Sequence, residues 1–169
     1  GLWDTNTVMV DLRATNVFVY DLNGNLRTNG VQILEYDDEN RLATLFVAGA
    51  WKSEFVYDGA NRCRIQRDYK WDAGTSGWSK TNEVRLFYDG VTVIQERDGN
   101  NTPVVSYTRT GSAPLARTDH GSSSHAYYHT DGNLNVTVLV NGSQLVVAKY
   151  AYDPFGNTLA VSGPLAEAN

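Results

Sequence analysis

Three histidines fall close together in the chain, His120, His125 and His129, with Asp119 and Asp131 beside them. As metal ligands, imidazoles and carboxylates must converge on one ion at about 2 Å. In a strand, His125 and His129 would share a face but stand about 13 Å apart along it, too far for one ion. Only a helix would join them, and Ala126-Tyr127-Tyr128 running into Asp131-Gly132 opposes one. As hydrolytic machinery, Ser122, His125 and Asp119 offer the types of a nucleophile, a base and an orienting acid. No G-x-S-x-G elbow marks any serine. A hydrolase working through the His120/His125/His129 region is therefore the weakest reading, behind solvated loop residues.

Other chemistry-bearing groups have equally plain readings. Asp37, Asp38 and Glu39 pair carboxylates, but in a turn, where an aspartate satisfies backbone donors. Asp21-Leu22-Asn23-Gly24-Asn25 is too short for a calcium loop and lacks its late glutamate. Cys63, the single cysteine, sits between Arg62 and Arg64 in a strand pattern and reads as an ordinary strand residue. Trp3, Trp51, Trp71 and Trp78 open another option. Exposed indole faces stack on sugar rings, so Trp51, Trp71 and Trp78 are the candidate ligand-facing aromatics of a carbohydrate-binding or adhesion module. Asn100-Asn101-Thr102, Asn135-Val136-Thr137 and Asn141-Gly142-Ser143 match glycosylation sequons but read as turn and strand polar residues. No catalytic, cofactor or metal residue is assigned.

The elements that would carry these residues are strands. The chain has 169 residues, with ten tyrosines, fifteen glycines and many Asn–Gly, Asp–Gly and Gly–Asn pairs. That bias favours short strands and tight turns. The net charge is −5 and the arginines are scattered singly, which excludes the clustered cations of a nucleic-acid surface. No apolar run approaches the roughly 18 residues of a spanning helix. One cysteine permits no internal disulfide. The start at Gly1 and the end at Asn169 read as a piece of something longer, with termini docked on a neighbouring surface.

A degenerate unit recurs along the chain. It appears as Tyr20-Asp21-Leu22-Asn23-Gly24-Asn25-Leu26, Tyr36-Asp37-Asp38-Glu39-Asn40-Arg41-Leu42 and Tyr57-Asp58-Gly59-Ala60-Asn61-Arg62-Cys63. Tyr88-Asp89-Gly90, a looser Tyr128-His129-Thr130-Asp131-Gly132-Asn133-Leu134, and Tyr152-Asp153-Pro154-Phe155-Gly156-Asn157 complete it. Each unit predicts one hairpin. The tyrosine ends a strand, the aspartate accepts turn N–H groups, and glycine or asparagine takes the positive φ. Trp71 and Trp78 flank a loop and are expected to pair across strands. Asn141-Gly142 predicts a type I′ turn. Residues 110–124 read as a flexible Gly/Ser loop, and 161–169 as having little strand character. The expectation is all-β: one domain over residues 1–169, an antiparallel meander forming a curved or partly rolled sheet.

These units make the chain resemble the RHS/YD-repeat family, above all YDLNGNL (20–26), YDDENRL (36–42) and YDGANRC (57–63). The stretch HAYYHTDGNLNVTVLVNGSQLVVAKYAYDPFGN (125–157) resembles the repeats leading into the RHS-associated core region, and GPLAEAN (163–169) what precedes that core. The resemblance implies a structural, encapsulating sheet in a secreted or cell-surface bacterial protein, associated with toxins. It gives a repeat role to Tyr20, Asp21, Gly24, Tyr36, Asp37, Tyr57, Asp58, Gly59, Tyr88, Asp89, Gly90, Tyr152, Asp153 and Gly156. The self-cleaving protease and toxin that follow in such proteins are not carried over, so the chain is expected to be no enzyme and to need no cofactor. The partners implied are adjacent repeats or copies of the chain, met through sheet edges, and an encapsulated polypeptide or surface glycan.

Overall fold

The computed structural model describes residues 17–111 and 113–166. Trp3 and both termini lie outside the described residues. Fourteen strands follow in order: β1 (Val19–Tyr20), β2 (Leu26–Thr28), β3 (Ile33–Tyr36), β4 (Leu42–Val47), β5 (Trp51–Tyr57), β6 (Cys63–Asp72) and β7 (Gly77–Asp89). The second half holds β8 (Thr92–Arg97), β9 (Pro103–Thr110), β10 (Ala113–Asp119), β11 (Ser124–Thr130), β12 (Val136–Asn141), β13 (Val146–Tyr152) and β14 (Thr158–Ser162). They form one sheet whose spatial order is the sequence order, every neighbouring pair being antiparallel. The meander does not close, and β1 and β14 are its edges among the described residues. The expected all-β meander is the fold found.

A single layer leaves little to bury. Among the described residues, only Val105, Ala126, Leu139, Ala148 and Ala166 are buried apolar residues, and Leu139 alone is fully enclosed among large side chains. Side chains alternate between faces along each strand. The pairings Glu54↔Arg67↔Glu83 and Lys52↔Tyr69↔Lys80 put one charged, hydrogen-bonded network on the first face. The pairings Tyr107↔Arg117↔Ala126 and Tyr128↔Leu139↔Ala148 put the core on the second.

After β14 the chain bends onto that second face. Leu165 N–H donates to the Val147 carbonyl, and the Tyr150 hydroxyl donates to the Ala166 carbonyl. Ala166 joins the cluster of Ala126, Leu139 and Ala148, with Leu165 packed against it. Gly163, at φ +106°, permits the bend, because a Cβ there would stand 2.5 Å from the Val147 carbonyl oxygen.

Three expectations are corrected. Residues 110–124, read as a loop, contain β10, which pairs with β9 and β11. Their Gly, Ser and Thr content masked the alternation of Leu115, Arg117 and Asp119 with Ala116 and Thr118, and Pro114 is accommodated at a register shift between Pro114 and Ala116. Val161 and Ser162, placed in the non-strand tail, belong to β14 and pair with Tyr150 and Lys149. Asn141-Gly142 does not make a type I′ turn: the positive φ falls on Gln144, at 64°. No helix among the described residues is long and apolar enough to cross a membrane.

Candidate functional site

The repeat residues build one device many times over. At the third corner Asp58 Oδ1 accepts the N–H groups of Ala60 (2.9 Å) and Arg62 (3.1 Å). Asp58 N–H donates to the Arg62 carbonyl and Asn61 N–H to the Asp58 carbonyl. The same four bonds recur at Asp21, Asp37, Asp98, Asp131, Asn141 and Asp153, making seven such corners among the described residues. In each, the residue three after the acid has positive φ: Gly24, Asn40, Asn61, Asn101, Leu134, Gln144 and Gly156. This is a turn closed by a left-handed residue, with the register shift of a bulge beside it. An aspartate suits the first position because two carboxylate oxygens can serve donors at once.

Gly59 departs from its expected role. It follows Asp58 directly and lacks positive φ, which Asn61 takes instead. Gly90 has positive φ (57°), in a shorter turn between Asp89 and Thr92. At the looser unit, Thr130 occupies the place before Asp131 that tyrosine fills elsewhere, pairing with Val136 as Tyr36 pairs with Leu42. Asp98 and Asn141 sit on the opposite side of the sheet and have no tyrosine before them. What marks both as corners of this kind is spacing: an Asp or Asn four residues before the N–H that opens the return strand.

Each tyrosine ties its corner to the one before. The hydroxyls of Tyr36, Tyr57, Tyr88 and Tyr152 donate to the carbonyls of Leu26 (3.1 Å), Leu42 (3.0 Å), Cys63 (2.7 Å) and Val136 (2.9 Å). Arginines tie corners forward. Arg41 lies 4.9 Å from the Tyr57 ring centroid and donates to Asn61 Oδ1, while Arg62 lies 5.1 Å from that of Tyr88 and donates to the Gly90 carbonyl. Tyr20, before the first corner, is exposed.

The electrostatics follow from these bonds. The Arg62 guanidinium, with the Arg62 and Ala60 N–H groups, holds the Asp58 carboxyl at about 2. Burial pulls Asp37 upward, but the N–H and guanidinium of Arg41 outweigh it and lower the carboxyl. Away from the corners, Glu83 is the centre of the first face, receiving Lys80 (2.8 Å), Arg85 (2.9 Å) and Arg67 (3.0 Å). Lys80 and Arg85 are the main reason its carboxyl lies at about 2.

The residues singled out for catalysis do not come together. His120 Nε2 pairs with the Ser106 hydroxyl (2.8 Å) and His125 Nδ1 with that of Thr118 (3.0 Å). Asp119 accepts the Ser122 N–H, and the Ser122 hydroxyl meets Ser124 instead of a histidine. Among the described residues no three His, Cys, Asp or Glu side chains converge on a metal position. The three tryptophans do not make a platform either. Trp71 and Trp78 pair across strands with centroids 5.1 Å apart and planes at 75°. Trp51 pairs with Lys70, the neighbour of Trp71, and so projects from the other face.

No family model matches the chain. It is 30% identical over 143 residues to the tRNA3(Ser)-specific nuclease WapA of Bacillus spizizenii, and 31% identical over 142 residues to the tRNA nuclease WapA of Bacillus subtilis strain 168. Each match takes in 82% of this chain but only 6% of the relative's length. Among solved structures, the TcdB2-TccC3 crystal structure matches 88% of the chain with a TM-score of 0.57 and 13% identity. The Photorhabdus luminescens Tc holotoxin pore matches 85% with a TM-score of 0.59 and 15% identity. The chain spans 8% and 7% of those chains. It shares the fold of a part of these toxin complexes.

Proposed function

We propose that the chain is a structural stretch of a secreted bacterial toxin of the RHS/YD-repeat kind, part of the wall that surrounds an enclosed polypeptide, and that it performs no catalysis itself. The observation that carries this reading is the ladder: seven corners closed by one bonding scheme, and four tyrosines, three of them at such corners, that each fasten a strand to the one before. Such a device makes a wall of any length from one local rule. Likeness to WapA and to the TccC3 complexes supports the toxin context. On this reading, cleavage of tRNA belongs to residues of the longer relatives outside the matched stretch. For the enclosed polypeptide, the second face offers an open, largely apolar groove lined by Leu86, Val93, Glu96, Tyr107, Pro114 and Tyr128.

Two measurements test the proposal. The purified chain, incubated with tRNA, should leave it intact, and cleavage at discrete positions would overturn the non-catalytic reading. Circular dichroism of the same sample should give a strand spectrum, with sedimentation showing association through the open edges. A monomer with no tendency to associate at any concentration would count against a wall segment cut from a longer sheet.

A further inference from the structure

An asparagine followed by glycine can lose its side-chain amide to attack by the glycine nitrogen, since glycine has no side chain to hinder the approach. The chain has three such pairs, Asn23-Gly24, Asn29-Gly30 and Asn141-Gly142. The reaction needs a glycine N–H free to lose its proton, a side-chain nitrogen free to leave, and donors aimed at the oxyanion that forms on Oδ1. The fold distributes these unequally. Gly24 N–H is given to the Asp21 carbonyl (3.1 Å) and Asn23 Nδ2 to Asn40 Oδ1 (2.9 Å). Gly30 N–H is given to the Thr28 hydroxyl (3.0 Å) and Asn29 Nδ2 to Gln32 Oε1 (2.9 Å). Asn141 differs on every count. Its Oδ1 accepts the N–H groups of Ser143 (3.0 Å) and Leu145 (2.9 Å), while neither its own Nδ2 nor the Gly142 N–H donates to any described residue. Gly142 is exposed, so water and hydroxide reach the pair.

The same place in the ladder explains why the neighbouring corners are inert. Six of the seven corners begin with aspartate, and Asn141 is the exception. Asp58-Gly59 and Asp131-Gly132 put a glycine in the same position after the corner residue. There the Arg62 guanidinium and the Asn135 side-chain amide, respectively, hold the carboxyl below its ordinary range, so it stays ionised. An anion repels a nucleophile; a neutral amide does not.

We propose that Asn141 is a site of self-modification, at which the Gly142 backbone nitrogen converts the corner amide into a carboxylate. Hydroxide removes the Gly142 N–H proton, and the nitrogen attacks Asn141 Cγ. The N–Cγ bond forms and the Cγ–Nδ2 bond breaks. Ammonia leaves with a proton from water, which restores the hydroxide, and a five-membered imide remains. Water then adds to Cγ, the N–Cγ bond breaks, the proton returns to Gly142 nitrogen, and residue 141 is left as aspartate. The Ser143 and Leu145 N–H groups face Oδ1 in both additions. They therefore favour aspartate over the β-linked isomer, which forms when water adds to the main-chain carbonyl instead. The product corner matches the other six, with its two bonds now made to a charged acceptor.

The test uses the 169-residue chain kept at pH 8 and sampled over days, with peptide mass spectrometry reading conversion at each Asn–Gly pair. In the folded chain Asn141 should convert about tenfold faster than Asn23 and Asn29, the worth of one charge-assisted hydrogen bond on the oxyanion. In urea the three rates should converge. The converted protein should elute from an anion exchanger with the Asn141→Asp variant. Gly142→Pro removes the attacking N–H and should stop the conversion; Pro154 holds the same place at the last corner, so the turn should survive, read as unchanged amide exchange at Leu145. The comparison of the three rates needs no variant to fold. Equal rates in the folded chain, faster conversion of Asn141 in urea than in the folded chain, a mainly β-linked product, or conversion persisting in Gly142→Pro would overturn the proposal.

Discussion

Glu83 is the most exacting place to test how this thin sheet holds together. Its side chain is 5% exposed and meets three cations, Arg67, Lys80 and Arg85. Replacing it by Gln keeps the volume and removes the charge, leaving three positive groups facing one another. The carboxyl lies at about 2 against an ordinary 4.5. At about 1.4 kcal/mol per unit, that displacement is worth at most about 3.5 kcal/mol. Lys80 is 49% exposed, so solvent screening brings the expected cost of Glu83→Gln to about 1–2 kcal/mol. The sign is set by linkage. A lowered carboxyl contributes fully above its unfolded value and loses that contribution as pH falls through its folded one. The gap between wild type and Glu83→Gln should therefore be widest at pH 7 and close between about pH 4.5 and about pH 2. Urea unfolding at pH 7, 5, 4 and 3 measures it, and the difference between the two proteins cancels the other carboxylates. Added salt should also relieve the repulsion among the three cations in the variant. Equal midpoints at pH 7, or a gap that stays constant down to pH 3, would refute the reasoning.

Other outcomes follow from particular contacts. Asp58→Ala should speed amide exchange at Ala60 and Arg62, whereas Asp58→Asn should hold the turn, because Asn141 makes the same bonds at its own corner; equal exchange in both variants would contradict the corner scheme. Leu139→Ala empties the one fully enclosed large side chain among the described residues and should cost about 3 kcal/mol in urea unfolding, a loss under about 1 kcal/mol meaning the site collapses freely. Gly163→Ala forces a Cβ against the Val147 carbonyl at positive φ and should release Leu165 and Ala166 from the core, read as faster amide exchange at Leu165; unchanged exchange would show the bend is not required. Burial raises the Cys63 thiol, so a thiol reagent at pH 8 should react far more slowly with the folded chain than with the chain in urea, and equal rates would place the sulfur in solvent.

The fold was legible wherever local chemistry decided it. Tyr-Asp followed by Asn or Gly four residues later specifies a corner without reference to the rest of the chain, and the strands between corners show β-branched and aromatic alternation. Legibility failed where a strand lacks that alternation. β10 is written in small and polar residues and exists because β9 and β11 present hydrogen-bonding edges on both sides of it. Val161 and Ser162 were obscured in the same way, by the Gly163-Pro164 pair that follows them. The turn at Asn141-Gly142 was misread because the dipeptide rule takes asparagine as the left-handed residue. Here its side chain serves as the acceptor, and Gln144 bears the strain.

The amino-acid sequence alone determined the hairpin unit and the position of most corners, since each depends on neighbours within about seven positions. Only the tertiary structure decided which corners touch. The Tyr57 hydroxyl on the Leu42 carbonyl, the gathering of Arg67, Lys80 and Arg85 around Glu83, and the separation of Trp51 from Trp71 depend on register between strands. A one-residue slip would send each side chain to the opposite face. Register is a property of pairs of strands, and no single segment contains it.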